Sequence, residues 1–348
     1  MTNVLKSLNG ALHKMMQDDD RVIIMGEDLL DPYGGAFKVS RGLSDAWPAR
    51  VFTTPISENG FVGVAAGMSM RGLRPVVEIM FGDFLMLAAD QILNHIAKYR
   101  WMYNDQVSVP ITIRAPMGGG RGYGPTHSQT LEKHFIGVPG LRVVAPSPFH
   151  DPGALLHHSV LGTDDPVLFI ENKLMYSRPL RAPDPHGRVG HMNARVSDGP
   201  TPTVSLSYDN FEEADLTIVA YGGMAELALS AAERVMMEEE VCAEVVIPSS
   251  LNPLDLTPIV DSLLRTGRLL VCEEACRTGG WGAEVIRRVT TEAFETLRAA
   301  PAHVGARDLP IANTRSLEDV ILPQREDLVS AAMALAKTGA TPARSPRN

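Results

Sequence analysis

The stretch Thr53-Thr54-Pro55-Ile56-Ser57-Glu58-Asn59-Gly60-Phe61 places one carboxylate between a predicted strand and a predicted helix. The residues before it are strand-like, and Ser57 is of a type that caps helices. Glu58 therefore falls at a helix start, where the helix dipole favours a negative charge. On this stretch alone, a simple helix-start charge and a functional carboxylate both remain open.

Strands and helices alternate on both sides of this stretch. The first half begins with an amphipathic helix at 3–17 and a strand that ends in Gly26 and two acids. Further strands are predicted at 74–80, 109–114, 141–146, 167–171, 216–221, 241–247, 268–272 and 302–304. This alternation predicts an α/β fold with two doubly wound parallel-sheet domains.

A Pro- and Gly-rich break in the pattern divides the chain. We predict a first domain at 1–185, a linker at 186–213 with a hairpin at its end, and a second domain at 214–338. The polar segment 339–348 is expected to be a disordered tail.

Composition bounds the function. The net charge of −9 and the lack of a Lys/Arg run argue against nucleic-acid binding. No apolar run reaches the roughly 18 residues of a membrane span, so we expect no membrane partner and a cytoplasmic location. Cys242, Cys272 and Cys276 are interpreted as free thiols, and no histidine cluster suggests a catalytic metal.

Candidate functional residues follow the predicted strands, and the carboxyl ends of parallel strands form one edge of a sheet. The Glu27-Asp28 turn, Glu58, the aromatics Phe81 and Phe84, and His127 should therefore lie near one another. Asp83 is expected to begin the helix that carries Phe84. A stacking aromatic, a carboxyl group and a histidine suit an aromatic heterocycle and proton transfer.

Other interpretations remain for three of these features. The glycine loop at 118–122 follows a strand, as phosphate loops do, but it lacks the Lys-Ser/Thr ending of a Walker motif. Taken alone, His127 is more simply explained as a solvated loop histidine. Glu273-Glu274 is expected to be the acidic end of a strand.

Many segments in order make the chain resemble the β subunit of the E1 component of 2-oxo acid dehydrogenase complexes, in the transketolase-like superfamily that depends on thiamine diphosphate. The resemblance extends to about Ala336. In the first half it lies in TPISENGF (54–61), GLRPVVE (72–78), DQILN (90–94), THSQ (126–129), PGLRVVAP (139–146), DPV (165–167) and ENKLMY (171–176). In the second half it lies in NPLD (252–255), TGRLL (266–270) and GGWGAE (279–284).

The resemblance implies a pyrimidine-binding domain followed by a transketolase-C-like domain. It implies that Glu58 contacts N1′ of the aminopyrimidine of thiamine diphosphate and promotes removal of the thiazolium C2 proton. It also implies that Phe84 packs on the pyrimidine, that Ile56 lies in the same wall, and that His127 assists proton movement near the reaction centre.

Partners follow from the resemblance as well. The superfamily holds the diphosphate through Mg²⁺ and a Gly-Asp-Gly…Asn motif, whereas the only Gly-Asp pair here is Gly82-Asp83, followed by Phe84. In split members that motif lies on the α subunit, so an α₂β₂ heterotetramer is implied, with Mg²⁺ held mainly by the α subunit and no activity for this chain alone. Some members also bind a structural K⁺ through carbonyl groups between Ile111 and Val160.

Three functional hypotheses result. The first is an E1 β subunit that decarboxylates a 2-oxo acid and transfers the acyl group to the lipoyl domain of an E2 acyltransferase. The second is a split transketolase-like or acyloin-forming carboligase, and the third is a non-catalytic scaffold, against which Glu58 and His127 argue. Departures from the family pattern at Leu87, 121–125 and 249–252 leave the identity of the 2-oxo acid open.

Overall fold

The alternation of strands and helices is present in the computed structural model, which describes residues 2–208 and 210–338. The strands are β1 (Val22–Gly26), β2 (Val51–Thr53), β3 (Arg74–Glu78), β4 (Thr112–Met117), β5 (Arg142–Val144), β6 (Val167–Asn172), β7 (Arg188–Val189), β8 (Met192–Val196), β9 (Thr203–Ser207), β10 (Leu216–Ala220), β11 (Ala243–Pro248), β12 (Ser250–Asn252), β13 (Leu269–Cys276) and β14 (Ala302–Ala306). The α-helices are α1 (Val4–Asp18), α2 (Leu43–Ala46), α3 (Glu58–Met70), α4 (Tyr99–Met102), α5 (Pro152–Leu161), α6 (Met224–Glu239), α7 (Thr257–Thr266), α8 (Trp281–Glu292), α9 (Arg315–Ile321) and α10 (Arg325–Lys337). The predicted tail at 339–348 lies outside the described residues.

Two 7-stranded sheets form the framework and confirm the predicted fold class. The first has the order β12-β5-β6-β4-β3-β1-β2, and every strand except β12 runs parallel to its neighbours. The second has the order β14-β13-β10-β11-β9-β8-β7, with a parallel part from β14 to β11 and an antiparallel edge.

Helices cover both faces of the first sheet because its strands are apolar on both sides. Along β3, Val76 packs into the core beneath α1 and α5, and the next residue, Val77, packs into the core beneath α3. Helix α1 begins at Asn3, whose side chain accepts a hydrogen bond from the Lys6 N–H, and α5 begins at Asp151 with Pro152 in its first turn. These caps are local signals that the sequence shows directly.

The two domains share one continuous core. The cluster that contains Phe61 and Ile113 of the first domain also contains Val219 and Trp281 of the second. Strand β12 adds a second connection, because it follows β11 in the chain yet pairs antiparallel with β5 of the first sheet.

The linker assignment for 186–213 is corrected by the structure. This stretch contains β7, β8 and β9, which form successive antiparallel pairs and join the second sheet at β11. Strand β7 has only two residues, and flanking prolines and glycines surround all three strands. Short edge strands of this kind give too little alternation to be distinguished from a loop.

The helix predicted from Asp83 onward is also different. Phe84 lies on a 3₁₀-helix, Gly82–Ala88, which is followed by a π-helical turn, Gln91–Ile96. Asp83 does not cap this segment, since its carboxylate accepts hydrogen bonds from the Gln129 side chain at 2.8 Å and from the Gln129 N–H at 3.3 Å. In the described part of the chain, no helix combines the length and apolar character that a membrane crossing requires.

Arg114 on β4 is a fully buried cation between two buried carboxylates. Its guanidinium group donates to Glu171 on β6 at 2.7 and 2.8 Å and to Glu78 on β3 at 2.7 Å. The Tyr176 hydroxyl donates to Glu171 at 2.6 Å, and the Ser40 hydroxyl donates to Glu78 at 3.1 Å. Burial disfavours the charge of Arg114, but the two carboxylates raise its pKa and keep it protonated.

We predict that Arg114→Met lowers the free energy of unfolding by about 3–5 kcal/mol, because two carboxylates would remain buried without their cation. Denaturant titration measures the effect. The control is Lys14→Met, which removes the exposed pair with Asp18 and should leave the midpoint almost unchanged. Equal midpoints for the two variants would show that Arg114 does not stabilise the sheet.

Candidate active site

Glu58 is buried at the first position of α3, with 4% of its surface exposed. The turn before it is fixed by two hydrogen bonds to the end of β1: the Thr54 N–H donates to the Gly26 carbonyl at 2.9 Å, and the Asp28 N–H donates to the Thr53 hydroxyl at 3.1 Å. Within residues 2–208 and 210–338, the Glu58 carboxylate has no hydrogen-bond or ion-pair partner. The residue is thus largely enclosed, but its carboxylate oxygens are not among the fully buried unpaired atoms, so a ligand can reach them. Unpaired polar groups of this kind recur at functional sites.

A second carboxyl group, that of Glu27, interacts electrostatically with Glu58. Glu27 follows β1, is 5% exposed, and its Oε1 atom has no hydrogen-bond partner among the described residues. Burial raises the pKa of Glu27 to about 7, and the nearby charges of Glu58 and Asp28 act in the same direction. The predicted Glu27-Asp28 turn therefore does lie at the site, and its first residue is a carboxyl group that binds a proton near neutral pH.

His127 is surrounded by aromatic rings. Its ring centroid lies 4.8 Å from that of Phe81 and 5.2 Å from that of Phe84, in edge-to-face geometry in both cases. Thr126 Oγ1 lies 2.9 Å from His127 Nδ1, whereas Nε2 has no hydrogen-bond partner among the described residues. The structure thus brings His127, Phe81 and Phe84 together, as the sequence predicts, with the ring centroids of Phe81 and Phe84 also 5.8 Å apart.

Ile56 is in a different setting, because 85% of its surface is exposed. Other apolar side chains on the neighbouring segments are exposed too, with Val64 on α3 at 55% and Leu87 beside Phe84 at 59%. Within the described chain, Ile56 therefore forms no closed wall, and the segments that carry Glu58 and Phe84 present an apolar surface to the outside.

Lys173 also lies at the site, although it is not among the predicted site residues. It is fully buried after β6, and its ammonium group donates a hydrogen bond to the main-chain carbonyl of His127. Burial lowers the pKa of Lys173 to about 8, whereas the carboxylates of Asp83 and Glu274 act in the opposite direction. No local pattern marks this lysine, since its burial depends on loops that are distant in sequence.

The prediction that Glu273-Glu274 forms the acidic end of a strand is wrong, because both residues lie within β13. Glu273 is fully buried and accepts hydrogen bonds from the N–H groups of Trp281 and Gly282 at the start of α8, at 3.0 and 2.9 Å. Glu274 accepts from the Gly119 N–H of the first domain at 2.6 Å. Glu273 is thus enclosed within the second domain, where His303 Nε2 also lies 2.7 Å from it, whereas the half-buried Glu274 reaches the first domain. The described residues contain no group of three or more His, Cys, Asp or Glu side chains able to hold a metal ion.

Family models match both halves of the chain. The transketolase pyrimidine-binding domain matches residues 1–179, and the transketolase C-terminal domain matches residues 210–328. A solved structure described as a split-gene transketolase in an inactive β4 tetramer superimposes with a TM-score of 0.73 at 23% identity, and the match covers 97% of this chain and 99% of that one. The fold is therefore that of the transketolase-like proteins.

Curated relatives are more specific. A mitochondrial pyruvate dehydrogenase E1 β-2 subunit from Oryza sativa subsp. japonica is 39% identical, over 94% of this chain and 85% of the relative. The β subunit of 3-methyl-2-oxobutanoate dehydrogenase from Mycobacterium tuberculosis is 36% identical over 94% and 89%, and a pyruvate dehydrogenase E1 β subunit from Rickettsia bellii is 36% identical over 94% and 96%.

The chain belongs to the family of β subunits of the E1 component of 2-oxo acid dehydrogenases. This membership implies thiamine diphosphate as cofactor and an E1 α subunit as partner.

The raised pKa of Glu27 predicts a pH-dependent stability. Its usual pKa of 4.5 applies to the unfolded chain and about 7 to the folded chain, so the folded state loses stability as the pH rises from about 4.5 to about 7. We predict that Glu27→Gln is more stable than the wild type by about 1–2 kcal/mol at pH 8, a value reduced for solvent screening, and that the difference disappears near pH 4.5. Denaturant titration at both pH values tests this, with the exposed Glu213→Gln as control. A pH-independent difference would contradict the assignment.

Proposed function

We propose that this chain supplies the cofactor-activating half of a 2-oxo acid dehydrogenase active site, in which Glu58 and His127 are the catalytic residues. The observation that carries the proposal is the Glu58 carboxyl group, which is buried at a helix start without a hydrogen-bond or ion-pair partner in the described part of the chain. A weakly basic ring nitrogen, such as N1′ of an aminopyrimidine, would be a suitable partner because it can share a proton with the carboxyl group.

The surroundings of Glu58 fit the pyrimidine end of thiamine diphosphate. Phe84 offers an aromatic ring for packing, and Ile56 extends the same side as an apolar edge. When bound, the cofactor supplies a nucleophilic carbon and an electron sink for breaking the bond between the carboxyl and carbonyl carbons of a 2-oxo acid. Glu58 would hold the proton at N1′, and the burial of Glu58 would strengthen this hydrogen bond.

His127 acts on the substrate side. Its Nε2 atom exchanges protons with the reacting oxygen atoms, while Phe81 and Phe84 restrict the orientation of the ring and exclude water. Lys173 fixes the main chain at this residue through the His127 carbonyl.

The other half of the site belongs to the α subunit in this proposal. Asp83 belongs to the only Gly-Asp pair of the chain, and it is already engaged with Gln129. The exposed apolar side chains of Ile56, Val64 and Leu87 suit burial against a partner chain. We therefore propose an α₂β₂ heterotetramer with Mg²⁺ held mainly by the α subunit. A structural K⁺ near Ile111 and a cytoplasmic location stay predictions.

We propose that the acyl acceptor is a lipoyl domain of an E2 acyltransferase. The named relatives act on pyruvate or on 3-methyl-2-oxobutanoate, which makes a small or branched 2-oxo acid the substrate class to examine first. Their names favour a dehydrogenase over the carboligase alternative.

The acceptor decides between these two enzymes. We predict that the chain, assembled with its α subunit and supplied with a 2-oxo acid, transfers an acyl group to a lipoylated E2 domain. The chain alone should give no turnover. Mass spectrometry of the lipoyl domain measures acyl transfer, and an unlipoylated domain is the control. Turnover with aldehyde or ketose acceptors only would favour the carboligase.

The role of Glu58 has its own test. We predict that Glu58→Gln lowers turnover of the αβ enzyme by about 100-fold or more, because an amide cannot share a proton with the ring nitrogen. Size-exclusion chromatography should show intact assembly. The matched control is Glu284→Gln, which removes a carboxylate from the first turn of another helix, α8, and should retain activity. Near-normal turnover of the Glu58 variant would sink the assignment.

A further inference from the structure

The loop that presents His127 has an unusual main chain. Every second residue from 118 to 124 is a glycine with a left-handed conformation: φ is 96° at Gly118, 80° at Gly120, 69° at Gly122 and 79° at Gly124. Alternation of this kind turns successive N–H groups towards a common side, which creates a binding place for an anion.

Carboxylates of the second domain bind these N–H groups. Glu318 on α9 accepts from the Gly120 N–H at 2.7 Å with one oxygen and from the Gly122 N–H at 3.0 Å with the other. Glu274 on β13 accepts from the Gly119 N–H at 2.6 Å. These N–H groups are therefore not available to a phosphate, because carboxylates of the same chain already accept their hydrogen bonds.

The fit between loop and carboxylates is close. A Cβ atom at position 119 would lie 2.6 Å from Leu322 Cδ1 and 3.0 Å from Glu318 Oε1, and one at position 118 would lie 2.8 Å from Glu274 Oε1. A side chain at either position would force these neighbouring side chains to move, so the glycines serve the contact with the second domain as well as the turn.

Further hydrogen bonds connect the carboxylates to the other end of the loop. Glu274 also accepts from the Thr130 hydroxyl at 3.2 Å, three residues after His127. Between these points lies the buried ammonium group of Lys173, which is attracted to Glu274 and Glu318 and donates to the His127 carbonyl. The loop is therefore held on both sides of His127 by groups that share one buried charge network.

We propose that Glu318 and Glu274 are positioning residues, which hold the glycine loop from the second domain and so fix His127 in the active site. Neither carboxylate needs to touch substrate or cofactor. The effect on catalysis rests on the function proposed above for His127, whereas the restraint on the loop does not.

The restraint is tested in the full-length chain by amide hydrogen exchange. Glu318→Gln should accelerate exchange of the peptide covering 118–129 by about tenfold, since loss of a charge-assisted hydrogen bond shifts an opening equilibrium by that order. Asp319→Asn is the matched control, because it removes a half-exposed carboxylate from the same helix and should exchange at the wild-type rate. Gly119→Ala disturbs the same contact from the loop side and should also accelerate amide exchange of this peptide. Wild-type exchange in both Glu318→Gln and Gly119→Ala would overturn the proposal.

The effect on catalysis is tested in the assembled αβ enzyme by a double-mutant cycle. Glu318→Gln should lower kcat about tenfold with little change in KM or in melting temperature, but should cost almost nothing in a His127→Ala background, because the two changes then remove one function. If Glu318→Gln also lowered kcat about tenfold in the His127→Ala background, the positioning role would be overturned. If the enzyme shows no dehydrogenase activity at all, the proposed function fails, and the exchange experiment still decides whether the carboxylates hold the loop.

Discussion

The bridge from Arg114 to Glu78 and Glu171 joins three adjacent strands of the first sheet, and the loops of the site leave from the ends of these strands. After β3 the chain continues to Phe81 and Phe84, after β4 to the glycine loop and His127, and after β6 to Lys173. Removing any member of this buried triad would leave an uncompensated charge at the base of the site. The relative position of the three loops therefore depends on one cation and its two carboxylates.

The buried carboxyl groups of the first sheet fall into two kinds, those in the Arg114 triad and those at the ends of β1 and β2. In the triad, every carboxylate has a cation or hydroxyl partner, so its members are fixed and saturated. At the neighbouring ends of β1 and β2, Glu27 and Glu58 are buried residues, and Glu27 Oε1 has no hydrogen-bond partner among the described residues. The first arrangement stabilises the sheet. In the second, burial raises the pKa of Glu27, and carboxyl groups in such a setting are candidates for a functional site. Sheet topology produces this contrast, because parallel strands bring all their carboxyl ends to one edge.

The sequence predicts those parts of the site that depend on local patterns. Glu58 at a helix start, the run of alternating strands and helices, and the aromatic neighbours of His127 follow from caps, periodicity and strand ends. Other parts depend on contacts between distant segments. Glu273 is buried by the start of α8 and by His303, and Glu274 reaches the glycine loop of the first domain. Helix α9, which carries Glu318, is a seven-residue helix without a strong apolar pattern. In the predicted linker only a hairpin was expected, because β7 and β8 are short and gain stability from pairing rather than from their own sequences.

The second domain then has a role beyond completing the fold. Its carboxylates reach the loop that carries His127, and its strand β12 pairs with β5 of the first sheet, so the first domain is shaped by segments that follow it in the chain. An anion-binding loop in an α/β protein commonly receives a phosphate at this sheet edge. Here the same backbone geometry receives two carboxylates from within the chain, which converts a ligand-binding device into a structural connection. The ligand-binding chemistry proposed for this subunit then lies at Glu58 and His127, and the exposed apolar side chains near Glu58 are where we propose contact with an α subunit.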